Sequence, residues 1–502
     1  IQAELDVQSR RYDSAIENFE RSLELGPPNL NAVRQVVQLL TLMGRYVEAK
    51  TYLHILPDDR RAVVTPEVQV QIYLSDAASS EQDSQERKEA IGMALHVAQQ
   101  AVERSPENSA RHLLLGQVFV RTEKTEEAEK AFRRAVELDS EQPRPWLALI
   151  ALLQTQKKTE QAEAERLNAQ RSLPPEIVPQ VMGQVSEILA DFEAAEQYYK
   201  MAVDAEPENL AHQRALAAFY LKNSYNKPDK YTKIARAINE ILTAAKNTGI
   251  NNSHVAWARR VSARIMTSRG GHQTVVRARL IIQENAIDGE LKVADRLELA
   301  RILANRPEPT FRRDAIELLQ QLHAESELRS PADQLTLARL YLLADYWPEC
   351  QKIMNKLLAR HSTSPIIWAT YCKMLMDNDE VNQAYQMYKH LEEITPPDDA
   401  NTLELKARLF AAMGDKNSIN NYHGKALSVL RKTFPRPKDI EKKHVSLINR
   451  VARVLTELDG KGYEAAGDNY REAAEDLYRL MVKLDPRTSP HLAVFLGKYG
   501  KV

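Results

Sequence analysis

Twelve histidines, two cysteines and 69 carboxylates give this 502-residue chain the raw material of catalysis, but their spacing does not assemble it. No H-E-x-x-H pair occurs to hold a metal from one helical face, and no C-x-x-C occurs. Gly460, Gly462 and Gly467 miss the G-x-G-x-x-G spacing of a dinucleotide cradle by two residues, and no phosphate loop is present. The carboxylate pairs Glu126-Glu127 and Glu392-Glu393 lie in charged helical stretches, where solvation is the simpler role. The expectation is a chain that is not an enzyme and carries no cofactor and no metal.

Charge is the chemistry that remains. Residues 1–250 hold 30 basic against 37 acidic residues, net −7, while residues 251–502 hold 38 against 32, net +6. The basic half repeats a bulky-small-basic triplet: Trp257-Ala258-Arg259, Leu299-Ala300-Arg301, Leu337-Ala338-Arg339, Tyr371-Cys372-Lys373 and Val451-Ala452-Arg453, with Ala407-Arg408 a partial copy. Guanidinium groups stepping along one wall suit an extended acidic ligand, since each can take a carboxylate or phosphate in bidentate fashion. Against that stands ordinary surface pairing, of Glu298 with Arg301 and of Glu404 with Arg408.

Such a wall must be built by regularly spaced elements, and the sequence supplies them. A small residue, a bulky one four later and a small one three later recur, commonly with a proline about five beyond. The phrase reads Ala15, Phe19, Ser22, Pro27; Ala128, Phe132, Ala135; Ala195, Tyr199, Ala202, Pro207; and, with a larger third residue, Ala384, Tyr388, Leu391, Pro396 and Ala474, Tyr478, Met481, Pro486. Offsets of four and three place all three on one helical face, where small side chains let a second helix approach to about 8–10 Å. Proline ends the helix, and the polar residues after it suit a turn and an N-cap. In the cleanest copies a preceding helix is legible too. Leu115-Gly116 and Phe119 come before the turn Thr122 to Thr125, and Trp368, Tyr371-Cys372 and Leu375 before Asp377 to Glu380.

These residues resemble the tetratricopeptide repeat, with its Trp, Leu-Gly, Tyr, Ala, Phe, Ala and Pro at set offsets, and the array resembles a segment of a larger bacterial-type tetratricopeptide protein. Repeats fall at 1–28, 29–60, 66–107, 108–141, 142–173, 174–209, 210–249, 250–287, 288–328, 331–362, 363–397, 398–436 and 439–486. The resemblance implies an all-α, right-handed α-solenoid of about 13 hairpins. Glycine, 16 of 502 residues, is scarce enough to agree with a sheet-free chain. Composition divides the array into an acidic stretch, 1–249, and a basic continuation, 250–502. Longer connections are expected at Ser79–Arg87, Asn223–Lys230, Asn305–Phe311, Lys432–Lys438 and Asp459–Asp468. Both ends read as cut within a repeat, at Ile1 and at Tyr499-Gly500-Lys501-Val502.

In such solenoids the first helices line a concave groove, and the position after the small residue faces it. The resemblance therefore implies a partner-binding face carrying Arg259, Arg301, Arg339, Lys373, Arg408 and Arg453. The matching N-terminal positions, Gln38, Gln117, Ala151, Gln184 and Ala218, are uncharged. Family members that clamp a carboxyl terminus use lysine and asparagine where this chain has Leu113, Gln117, Leu147, Ala148 and Ala151, which argues against that ligand. Trp146 and Trp368 read as packing residues.

The function expected is a protein-protein interaction scaffold that takes an extended acidic peptide or partner protein. Alternatives are RNA binding by the basic half, or a docking arm of an enzyme whose catalytic domain lies elsewhere. A pI near 7 and the lack of repeated aromatics at the ladder argue against nucleic acid. There is no apolar run of about 18 residues to span a membrane. Cys350 and Cys372 read as buried packing thiols, and with no paired-cysteine framework the chain fits a reducing, cytoplasmic compartment. Oligomeric state is unknown from sequence.

Overall fold

The computed structural model describes residues 2–8, 12–24, 29–79, 85–223, 230–268, 270–287, 289–324, 328, 330–396, 399–413 and 470–499, with 445, 448–449, 452–453 and 456 as isolated positions. The chain divides into two compact units, Ile1–Glu290 and Leu291–Val502. This boundary is one of packing, whereas the division at 249/250 is one of composition.

Unit 1 is a row of helical hairpins. They pair α1 (Gln2–Gln8) with α2 (Tyr12–Glu24), α3 (Leu30–Leu42) with α4 (Tyr46–Ile55), and α5 (Pro66–Ser79) with α6 (Gln85–Arg104). Next come α7 (Ser109–Arg121) with α8 (Thr125–Leu138), α9 (Pro143–Thr155) with α10 (Thr159–Ser172), and α11 (Val178–Ile188) with α12 (Phe192–Ala205). The last two are α13 (Leu210–Asn223) with α14 (Lys230–Thr248), and α15 (Ser253–Ser268) with α16 (His272–Gln283). A 3₁₀ turn, Asp58–Val63, separates the second hairpin from the third.

Unit 2 continues with α17 (Val293–Ala304) and α18 (Pro309–Ala324), α19 (Pro331–Leu343) and α20 (Trp347–Arg360), and α21 (Pro365–Asp377) and α22 (Val381–Ile394). It also holds α23 (Ala400–Met413), α24 (Tyr470–Leu484) and α25 (Ser489–Tyr499). The fold is an all-α helical-repeat solenoid, and the hairpins fall where the sequence periodicity puts them as far as residue 397. The second helix expected in 398–436, most of the first helix of 439–486, and the connections Lys432–Lys438 and Asp459–Asp468 lie outside the described residues.

The recurring phrase forms the core. Ala128, Phe132 and Ala135, Ala195, Tyr199 and Ala202, Ala384, Tyr388 and Leu391, and Ala474, Tyr478 and Met481 are all buried. Each buried ring contributes about 1.5–3 kcal/mol of transfer free energy. In the first copy Ser22 is exposed, and Leu23 packs on the core in its place. The stripe there runs Ala15, Phe19, Leu23, a strict step of four.

Helix ends are specified locally. Asn29, Asn108, Asn209 and Asn252 cap first helices by accepting backbone N–H bonds, from Asn31, Ala110, Ala211 and His254 respectively at 2.9–3.0 Å. Pro66, Pro143, Pro309, Pro331 and Pro365 open others. Six hairpins share one three-residue turn, whose middle residue is left-handed: Gly44, Glu123, Lys157, Ala190, Asp345 and Asp379, with φ between 58° and 70°. In each, the residue after it donates its N–H five residues back, as Lys124 does to the Phe119 carbonyl at 3.0 Å. In all six the turn closes on the same main-chain bond, with glycine at one of the six positions.

Successive hairpins stack chiefly through the second helix of one on the first helix of the next, as α2 on α3, α6 on α7, α8 on α9, α12 on α13 and α14 on α15. They stack also through first helices, with α3 on α5, α7 on α9, α9 on α11, α13 on α15, α17 on α19, and α19 on α21 on α23. Ion pairs cross between neighbours: Lys50–Asp76 at 2.6 Å, Lys158–Glu129 at 2.8 Å and Lys233–Glu196 at 2.8 Å. Among the described residues no strand is present beyond one isolated bridge, Ile287 with Glu290, and no helix is long and apolar enough to cross a membrane.

Candidate interaction surfaces

The triplets of unit 2 behave as side-chain size dictates. Leu299, Ala300, Leu337, Ala338, Tyr371, Cys372 and Ala452 are buried, while Arg339, Lys373 and Arg453 stand exposed beside them. Val451 lies outside the described residues. The basic groups nevertheless have different surroundings.

Arg301 is neutralised. Its Nε and Nη2 donate to the two oxygens of Asp333 at 2.8 and 2.7 Å, a bidentate pair from α17 to α19 with the carboxylate 5 % exposed and the guanidinium side chain 46 %. The hydrogen bond to Asp333 raises the Arg301 pKa above the ordinary arginine value despite partial desolvation. Glu298, expected as the partner, is buried and adds only a lesser Coulombic contribution. The expected Arg408–Glu404 pair forms at 2.9 Å.

Arg259 belongs to unit 1 and is committed to local structure. Its Nη1 donates to Asn251 Oδ1 at 2.8 Å, Asn285 Oδ1 at 3.1 Å and the Glu284 carbonyl at 3.3 Å, and its Nε lies 3.0 Å from Glu284 Oε2. This guanidinium, 16 % exposed, closes the C-terminal end of α16. Its register after Ala258 is as expected; its donors are turned to the helix end.

Three of the six ladder residues come together. Lys373 on α21, Arg408 on α23 and Arg453 line one hollow of about 300 Å³, together with Asn401 and Glu404. Among the described residues three cations and one carboxylate line it, a net positive set able to take carboxylates or phosphates.

The uncharged positions of unit 1 do something the sequence reading did not foresee. Gln117, Ala148 and Ala151 line an open hollow of about 880 Å³ across α5, α7 and α9, with Leu74, Leu114 and Leu152 on its walls and Glu67, Arg87 and Arg121 among its polar groups. Its signal was present as small residues at positions facing the groove, but a search for charge passes over alanine. Such a hollow suits apolar side chains of an extended segment.

Cys350 and Cys372 are buried. Burial pushes the Cys350 thiol up to about 11 and the Cys372 thiol up to about 12. Cys350 Sγ rests 3.8 Å from Met374 Sδ, and Cys372 Sγ points to the Ala384 carbonyl at 3.6 Å. Glu392 accepts from Tyr388 Oη at 3.2 Å and pairs with Lys406. Trp146 is buried and donates to the Ser140 carbonyl at 2.8 Å; Trp368 donates to the Ser362 carbonyl at 2.6 Å and lies 4.2 Å from the His390 ring. Among the described residues no group of three His, Cys, Asp or Glu side chains is placed to hold a metal ion. Gly460, Gly462 and Gly467 lie outside the described residues.

One family profile agrees with the repeat. The tetratricopeptide-repeat profile matches residues 111–142, which hold α8 and all but the first two residues of α7. No curated protein matches the chain. Among solved structures, similar chains include yeast Tom70, at 12 % identity over 82 % of this chain and 93 % of that one, TM-score 0.40. Others are Naa15/Naa10 bound to HypK-THB, at 11 % identity over 97 % and 88 %, TM-score 0.31, and the human IFIT1 dimer with m7Gppp-AAAA, at 13 % identity over 78 % and 88 %, TM-score 0.35.

Proposed function

We propose that this chain, a tetratricopeptide-repeat protein, is a non-catalytic scaffold that binds an extended acidic segment of a partner protein on the first helices of unit 2. The observation that carries this reading is the convergence of Lys373, Arg408 and Arg453 on one hollow. Exposed Arg339, on the first helix before Lys373, extends the same positive character along the row. Each exposed pair with a ligand carboxylate contributes about 0.2–1 kcal/mol, so useful affinity needs several at once and falls with salt. Two buried thiols fit a reducing, cytoplasmic setting.

The test compares the protein with its Lys373→Glu, Arg453→Glu variant, using a fluorescein-labelled dodecamer of alternating Glu and Ala and an oligouridine of equal length. Peptide binding that weakens at least tenfold in the variant and falls with salt supports the reading. Oligouridine binding that is lost while the peptide never binds transfers the surface to nucleic acid. Equal peptide binding by both proteins makes these cations a solvated helix face and refutes the proposal.

A further inference from the structure

A second basic concavity lies in unit 1, on residues outside the ladder. The 3₁₀ turn Asp58–Val63, the start of α5, the C-terminal half of α6 and the first turn of α7 enclose a cleft of about 500 Å³. Arg61, Arg104, Arg111 and His96 line it, with Ser105, Gln69 and Gln100; Tyr73, Met93, Val97 and Ala101 supply apolar wall. Among the described residues no aspartate or glutamate lines it. This is notable in the half of the chain whose net charge is −7 over residues 1–250. Three arginines converging on one concavity, Arg61, Arg104 and Arg111, make the positive potential that draws an anion.

The cleft is also pre-organised. Gln69, buried beneath the 3₁₀ turn, donates its side-chain amide to the Arg61 carbonyl at 2.9 Å and the Val64 carbonyl at 2.7 Å, fixing the backbone that carries Arg61. Arg61 Nε donates to the Leu56 carbonyl at 3.1 Å, which orients its guanidinium. Arg111 is held, and partly neutralised, through Nη1 by Glu67, which lies outside the lining and leaves its other donors to the cleft. Arg104, exposed in the last turn of α6, makes no hydrogen bond or ion pair among the described residues. The fixed guanidinium groups of Arg61 and Arg111 lose little further entropy on meeting an anion, and all three planar forks match the oxygens of phosphate.

We propose that this cleft binds a phosphomonoester, its dianionic head between Arg61, Arg104 and Arg111 and its uncharged body against Met93 and Val97. The room is that of a small organic phosphate or a single phosphorylated side chain. The site is independent of the unit 2 hollow, so it stands or falls apart from the peptide reading.

The experiment is isothermal titration calorimetry of the intact chain at low ionic strength with three probes: inorganic phosphate, phenyl phosphate and a phosphoserine pentapeptide. Saturable one-to-one binding of phenyl phosphate, tighter than inorganic phosphate, is the expected result. Arg104→Ala should weaken it about tenfold or more, as loss of a charge-assisted hydrogen bond implies. Arg104→Lys should recover part of it. Arg134→Ala, which removes an exposed arginine paired with Glu107 and Glu137 away from the cleft, should leave it unchanged. A phosphopeptide tighter than phenyl phosphate identifies a modified protein as the source, and the reverse order a free small molecule. Absence of saturable binding, affinity retained in Arg104→Ala, or equal loss in Arg134→Ala overturns the proposal.

Discussion

Gly183 offers a sharp test of the packing argument, because a single added carbon meets a ring that cannot yield. A Cβ built on Gly183, in the middle of α11, would sit 2.8 Å from Tyr199 Cδ1 and Cε1 and 3.0 Å from Cζ. Ordinary carbon contacts lie near 3.5–4.0 Å. The ring is held: its hydroxyl donates to Glu187 Oε2 at 2.8 Å, its face lies 5.6 Å from the Phe219 ring, and it is buried. Gly183→Ala should therefore incur an overpacking cost of about 1–3 kcal/mol, set against about 1 kcal/mol gained from alanine's helix propensity. Gly92, inside α6, is the control, since a Cβ there meets nothing within 4 Å. Gly92→Ala should stabilise by about 0.5–1 kcal/mol. The assay is native-state hydrogen exchange, which reads each hairpin's opening separately and avoids a two-state assumption for an array. The difference between the variants is the overpacking term itself, about 5- to 150-fold in relative protection. A Gly183→Ala, Tyr199→Leu double variant should lose less than the sum of its singles. Strengthened protection of α11 and α12 by Gly183→Ala would refute the reasoning.

Three further outcomes follow from the same structure. Ala190→Gly should raise the stability of the α11–α12 hairpin by up to about 1 kcal/mol in hydrogen exchange, because alanine at φ 60° is held in the left-handed region glycine adopts freely. For Glu196, burial raises the pKa but hydrogen bonds from Lys233 and Lys200 outweigh it, leaving the carboxylate at about 2 against an ordinary 4.5. Its contribution is therefore fully present above pH 4.5 and lost as pH falls through 2, so the stability gap between wild type and Glu196→Gln should close over that window in acid denaturation. Cys350 and Cys372, raised to about 11 and 12, should resist iodoacetamide at pH 8 and react only after denaturant is added, as mass spectrometry would record.

Local packing was legible in the sequence. Offsets of four and three mark one face of a helix whatever lies around it, so Ala128, Phe132 and Ala135 located α8 and its buried stripe, and the polar run from Thr122 located the turn. Even 250–287, a poor match to the repeat, folds as α15 and α16. What stayed hidden depended on approach across hairpins. Asp333, which neutralises Arg301, stands 32 positions away, and no periodicity singles it out from other acids. Arg259 fits the triplet, yet the carbonyl of Glu284 and the amide of Asn285 claim its donors once α16 ends beside it. The left-handed turn residues were invisible because Glu123, Lys157, Ala190, Asp345 and Asp379 are not glycine, the one residue that announces such a backbone. The arginine cleft draws on a 3₁₀ turn and three helices, so no short motif spells it.

Stacking of each hairpin on its neighbours has a kinetic consequence. Helices pair with the next in sequence or the next but one, so the entropy of closing long loops barely enters the barrier to folding. Any hairpin can start, and structure can spread both ways from it. The hazard is that hairpins built on one pattern can dock on the wrong neighbour. Contacts particular to one junction oppose this: the Lys50–Asp76, Lys158–Glu129 and Lys233–Glu196 pairs each join one hairpin to its own neighbour. Charges placed at these junctions thus also favour the native order of hairpins during folding.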